Sequence, residues 1–122
     1  MSIDSGVVGQ VLMENHFKKI TSKEQFDELM AHSNKQPVAI FKHSTTCPVS
    51  SSAYREMENL SGEVALVNVQ SARDLSQEIG ERTGIRHESP QVIIFRNGKP
   101  VWHASHWKVT AHAVEQAMRE YV

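Results

Sequence analysis

The chain has 122 residues, 22% of them charged and 39% hydrophobic. That is one ordinary domain with enough apolar sequence for a core, and it excludes wholesale disorder. Thirteen Lys and Arg against 14 Asp and Glu leave a formal net charge of -1, so neither a basic nucleic-acid face nor a polybasic membrane patch is indicated. No apolar run approaches the roughly 20 residues that span a bilayer, and a single cysteine, Cys47, excludes a disulfide framework within the chain.

The chain opens MSIDSGVVGQVLMEN. It has no early Lys or Arg, and Gly6, Gly9 and Gln10 interrupt its apolar run, so no secretory signal peptide is expected. A lone thiol without an export signal suggests a reducing, cytoplasmic setting. Residues 1–15 are expected to be a flexible or loosely docked segment, and residues 16–122 the domain.

Residues 16–20 form a short candidate strand. Thr21 and Glu24 fit a capping box, and Phe26, Leu29 and Met30 follow at helical spacing, giving a helix over about 22–33. Val38-Ala39-Ile40-Phe41 is a continuous apolar run of strand length, as in a central strand covered on both faces. After Cys47, Pro48 suits the first turn of a helix. Val49, Ala53, Met57 and Leu60 make its apolar stripe, and Gly62 is its expected stop. Val64 to Val67 is a second buried strand. Ser71 is a candidate cap for a helix carrying Leu75 and Ile79 and ended by Gly84. Val92 to Phe95 is the next strand, Asn97-Gly98 a tight turn, and Val101 to Ser105 its hairpin partner. Thr110 caps a last helix with Val114, Ala117, Met118 and Tyr121 on one face. The order β-α-β-α-β-α-β-β-α predicts an α/β fold: a mixed sheet with helices on both faces and an antiparallel C-terminal strand pair.

Cys47 falls where a buried strand gives way to a helix. Helix N-termini carry unpaired N–H groups and partial positive charge, which favour the thiolate over the thiol. The thiolate is the species that attacks disulfides. Ser50 lies three residues on, a spacing that brings its hydroxyl towards the sulfur as a hydrogen-bond donor. Serine forms no disulfide, so a mixed disulfide on Cys47 needs an outside thiol to resolve it. Such a site is catalytic through Cys47, with Ser50 in support.

These elements and motifs resemble a thioredoxin-like fold, with a central sheet of about five strands and about four helices, over roughly residues 17–122. Cys-Pro-x-Ser opens the second helix, and Ser89-Pro90 precedes the strand of Val92 to Phe95 where that fold keeps a cis-proline. More narrowly, Thr46-Cys47-Pro48-Val49-Ser50, preceded by His43-Ser44 and joined by Glu88-Ser89-Pro90-Gln91, is similar to the monothiol bacilliredoxins of the YtxJ type. The resemblance implies a cytoplasmic, monomeric thiol-disulfide oxidoreductase that removes bacillithiol from S-bacillithiolated client proteins. It implies Cys47 as nucleophile and Ser50 in the position of the thioredoxin resolving cysteine. Thr46, Pro48, Ser89, Pro90 and His43 would contact the substrate. Bacillithiol would be a co-substrate thiol rather than a tightly bound cofactor, with a bacillithiol disulfide reductase acting indirectly. Lys42, Arg86 and His87 are candidates to contact that anionic thiol. Neither nucleic acid nor membrane is an expected partner.

Two other readings compete. One is an iron–sulfur carrier of the monothiol glutaredoxin kind, against which Pro48 argues, because that class has glycine after its cysteine. The other is a non-catalytic thioredoxin-fold adaptor or redox sensor. His103 and His106 are three apart on a strand end, where side chains point to opposite faces, so no metal site is expected. Trp102 and Trp107 are read as packing residues of the last strand and its exit.

Overall fold

The computed structural model describes residues 16–122; the expectation for residues 1–15 lies outside them. Five strands form one sheet: β1 (Phe17–Lys19), β2 (Val38–His43), β3 (Val64–Asn68), β4 (Gln91–Arg96) and β5 (Lys99–Ser105). Their order is β1-β3-β2-β4-β5. β3 pairs in parallel with β1 and β2, whereas β4 is antiparallel to both β2 and β5. This is the mixed sheet expected, and its antiparallel edge is the Asn97-Gly98 hairpin, with both turn residues at positive φ.

Four helices cover it: α1 (Lys23–His32), α2 (Pro48–Glu58), α3 (Arg73–Thr83) and α4 (Ala111–Glu120). The period-two alternation of the central strands divides the core into two layers. Ala39 and Phe41 of β2, with Val92 and Ile94 of β4, pack under Ala53 and Met57 of α2 and Val114 and Ala117 of α4. Val38 and Ile40, with Ile93 and Phe95, pack under Phe26 of α1 and Leu75 and Ile79 of α3. Each fully buried Val, Leu, Ile, Met or Phe among these stabilises the fold by roughly 1.5–3 kcal/mol.

Several local expectations need correction. The capping box of α1 is built one residue later than Thr21 and Glu24: the Ser22 hydroxyl accepts the Gln25 N–H at 3.2 Å, and Gln25 Oε1 accepts from Ser22 N–H at 3.2 Å. Gln25 Oε1 also accepts the Thr21 N–H at 2.7 Å, so Thr21 is served by the box rather than capping it. Ser71 does not cap α3; Ala72 stands at that position without a side-chain bond, and the Ser71 hydroxyl turns back to the Asn68 carbonyl. α2 ends at Glu58 with Asn59 as its cap, so Gly62 is a turn residue beyond it. Gly84 does end α3, at φ +71 with its N–H on the Gly80 carbonyl, and Thr110 caps α4 through the Ala113 N–H.

The strand β2 continues past its apolar run through Lys42 and His43, and all six of its residues are buried. Two titratable side chains are thereby carried into the interior on opposite faces of β2. A 3-10 turn, His106–Lys108, follows β5. His106 sits at φ +57, and Trp107 is turned out to 71% exposure instead of packing. Trp102 does pack against the core, partly buried.

Candidate active site

Cys47 is the N-cap residue of α2, in extended backbone at φ -102 and ψ 123, and Pro48 opens the helix behind it. The start of a helix here follows from the residues: Pro48 has no N–H to lose and a ring that presets helical φ. The Cys47 carbonyl accepts the Ser51 N–H at 3.1 Å, closing the first turn. The thiol itself makes no cap hydrogen bond and is half-buried. It therefore lies at the free end of a helix, beside the N–H groups of Val49 and Ser50, which have no partner among the described residues, with access to solvent.

Ser50 is completely buried. Its hydroxyl accepts the Ser44 N–H at 3.1 Å. The expected bond from this hydroxyl to the Cys47 sulfur is not made among the described residues; Ser50 instead pins the loop entering α2 to the helix that leaves it. Ser44 in turn offers its carbonyl to the Cys47 N–H at 3.4 Å. Positions 44, 47 and 50 are thus coupled through backbone groups.

Gln70, which no sequence signal marks, holds the same loop from outside. Its Oε1 accepts the Thr45 N–H at 3.2 Å, and its Nε2 donates to Ser44 Oγ at 2.9 Å and Thr46 Oγ1 at 3.1 Å. Thr46 and Pro48 are exposed beside the half-buried thiol.

His43 is buried beneath α2, its ring 4.9 Å from that of Tyr54 and 5.4 Å from that of Phe41. Burial lowers its pKa, opposed in part by the Ser50 backbone. His43 Nδ1 has no hydrogen-bond partner among the described residues. Tyr54 is pushed the other way: burial and then the Glu58 charge raise its pKa.

The Ser89–Pro90 peptide is cis. Pro90 is buried, and its carbonyl accepts the His106 N–H at 2.9 Å. His106 and Trp107 then line a small cleft with Val49 and Ser52 of α2, so the proline loop, the 3-10 turn and the first turns of α2 form one continuous surface. Gln91 anchors that loop from beneath, donating to the Arg86 carbonyl at 3.0 Å and Ser105 Oγ at 3.3 Å. Glu88 is held below the usual carboxylate range, first by a hydrogen bond from Ser105 and then by nearby His106, Arg86 and His103. On the other face of β2, Lys42 Nζ meets His87 Nδ1 at 3.3 Å, while Arg86 remains at the exposed loop.

This geometry presents one accessible thiol at a helix N-terminus, with a hydroxyl where a second thiol would be needed for internal resolution. It is competent for mixed-disulfide formation and depends on an external thiol for release.

A family model described as Monothiol bacilliredoxin BrxC matches residues 18–114, which include every site residue discussed. The chain belongs to the monothiol bacilliredoxin family. A solved protein described as a candidate oxidoreductase with a thioredoxin fold superposes with a TM-score of 0.79 at 32% identity, covering 86% of this chain and 96% of its own. Two thioredoxins share the fold at lower identity. That of Trypanosoma brucei brucei gives a TM-score of 0.68 at 21% identity, covering 87% of this chain and 90% of that one. That of Fasciola hepatica gives 0.69 at 12%, covering 86% and 99%. This bacilliredoxin is accordingly a thioredoxin-fold redox protein with a single thiol. Among the described residues no helix is long and apolar enough to cross a membrane.

Proposed function

We propose that this bacilliredoxin removes bacillithiol from S-bacillithiolated client proteins through a mixed disulfide on Cys47. The Cys47 thiolate attacks the bacillithiol sulfur of the client's mixed disulfide, and the client cysteine leaves as thiolate. A second bacillithiol thiolate then attacks the bacillithiol sulfur held on Cys47. Bacillithiol disulfide departs, Cys47 is restored, and a separate bacillithiol disulfide reductase returns the product to two thiols. Bacillithiol is a co-substrate in this cycle, and the protein works as a monomer in the cytoplasm with no tightly bound cofactor.

The observation that carries the reading is the half-buried, sole cysteine at the N-cap of α2 with buried Ser50 three places on; family membership is what favours bacillithiol as the thiol. The extended client segment would pair with the backbone at Ser89, next to Pro90, in the manner of strand addition. Thr46, Pro48 and the loop they belong to would flank it, and His43 would support the site from below. The protein's contribution is access to the thiol and positioning.

Intact-mass spectrometry of the reduced protein mixed with a bacillithiolated client tests this. The expected result is a client at its reduced mass and one bacillithiol adduct on Cys47. A client that stays modified while Cys47 is reduced and alkylatable overturns the reading in favour of an adaptor or sensor.

A further inference from the structure

On the opposite face of β2 from His43, Lys42 is completely buried. Its Nζ donates to the Ser76 carbonyl at 3.3 Å and to His87 Nδ1 at 3.3 Å. No Asp or Glu forms an ion pair with it among the described residues. An interior ammonium without a carboxylate is costly, and burial lowers its pKa to about 8, so it still holds its proton at neutral pH.

The proton inventory then fixes its neighbour. A protonated lysine only donates, so His87 Nδ1 must accept. Nδ1 also lies 3.2 Å from Ser76 Oγ. His87 is therefore the neutral tautomer with its proton on Nε2; burial and then the Lys42 charge lower its pKa, opposed in part by the Glu88 carboxylate. With Nδ1 turned inward, the donor edge of the ring faces outward.

His87 lines an open cleft of about 500 Å³ together with Ser44, Gln70, Arg73, Ser76 and Gln77. Its lining contains no carboxylate. The charges of the lining and directly behind it, Arg73 and Lys42, are positive; the Glu88 carboxylate, next in the chain to His87, opposes them, and every other polar group of the lining can donate. Its Ser44 wall belongs to the loop whose carbonyl meets the Cys47 N–H. A cleft of this size, cationic at its floor and rim and contiguous with the nucleophile's loop, has the character of a small-anion site.

We propose that this cleft is the subsite for the carboxylates of the low-molecular-weight thiol whose sulfur reaches Cys47. Arg73 and His87 Nε2 are the direct donors, and Lys42 supplies positive charge from behind while fixing the His87 tautomer. The inference rests on the bacillithiol reading above and names the residues that would select such a thiol by its negative charge.

The test is the reaction of the reduced protein with bacillithiol disulfide, whose halves each carry carboxylates, against bis(2-hydroxyethyl) disulfide, which is neutral. In both, Cys47 thiolate forms the new S–S bond and one thiolate leaves. Each rate is divided by that of N-acetylcysteine with the same disulfide, and their quotient measures preference for the anionic partner. The wild-type quotient should exceed one. It should fall about tenfold in Arg73→Gln, the loss expected for a charge-assisted contact, and should fall also in Lys42→Met. Raised salt should lower it in the wild type. A wild-type preference kept by both variants overturns the subsite alone. A wild-type quotient near one overturns the choice of bacillithiol and the subsite with it.

Discussion

The side-chain amide of Gln70 donates to the Ser44 hydroxyl at 2.9 Å, joining residues 26 apart in the chain. The same amide group reaches Thr45 N–H and Thr46 Oγ1, while Ser50 takes the Ser44 N–H from the helix side. The loop that presents Cys47 is therefore held from two directions by uncharged groups. Thiolate nucleophilicity is only useful if the sulfur is where a linear S–S–S attack needs it, and this clamp fixes that position.

Gln70→Ala should loosen the loop without unfolding the domain. Three hydrogen bonds are lost at a largely solvated surface, so the stability cost is about 1 kcal/mol. Amide hydrogen exchange at Thr45 should accelerate, and the rate of Cys47 adduct formation should fall by about threefold to tenfold. An unchanged exchange rate at Thr45 would show that the clamp is not holding the loop in solution.

Cys47→Ser should abolish adduct formation while leaving the fold intact. The residue is half-buried and its thiol makes no cap hydrogen bond, so the change in stability should stay within about 1 kcal/mol. Serine is also a better N-cap than cysteine, which favours a change in the stabilising direction. Urea denaturation and intact mass on the same sample check both halves of the statement.

Much of this architecture is written in local patterns. The apolar runs of β2, β3 and β4, the Asn97-Gly98 turn, the Pro48 helix start and the Thr110 cap are each set by residues a few positions apart, so the sequence exposes them. The Cys47 placement is legible for the same reason. The Gln70 clamp is not, and of the basic cleft the sequence offers Lys42 and His87 as candidates but neither their contact nor Arg73. Gln70 meets Ser44, and Lys42 meets Ser76 and His87, only because the parallel β2–β3 pairing and the α3 crossover bring distant segments together. A lysine in a strand ordinarily marks an exposed face, so the burial of Lys42 is not readable from its place on the strand. The one-residue displacement of the α1 capping box has a different origin. Thr21, Ser22, Glu24 and Gln25 offer two adjacent boxes, and the tertiary register of the helix selects the second.

Ser50→Cys tests the layout of the helix start. Residues 47 and 50 are the N-cap and third helical positions of α2, and their side chains project to one side of the first turn. Under mild oxidant the variant should lose two hydrogens in intact mass as an intramolecular disulfide forms, and bacillithiol adducts on Cys47 should become transient. Loss of the bond from Ser44 N–H to Ser50 Oγ should cost about 1 kcal/mol in the reduced form. A variant that oxidises only to intermolecular dimers would contradict this placement of the two side chains.

Lys42 gives the wild type a pH dependence that a neutral replacement lacks. Its pKa is about 8 in the fold against 10.5 for the free side chain. Below pH 8 the lysine is protonated in both states, and the native state bears the full cost of burying the ammonium. Between pH 8 and 10.5 the unfolded chain binds more protons at this group than the native chain, so stability rises with pH. Above 10.5 the cost is gone. Relative to Lys42→Met, the wild type should therefore gain about 1–3 kcal/mol of stability on going from pH 7 to 10.5. Taking the difference between the two proteins cancels the titration of the tyrosines and the other lysines. Urea titrations at pH 7, 8, 9 and 10.5 on both proteins measure it. A difference that stays flat across that range would mean that Lys42 is not buried as an ammonium, which would also remove the cationic floor of the cleft beside Ser44.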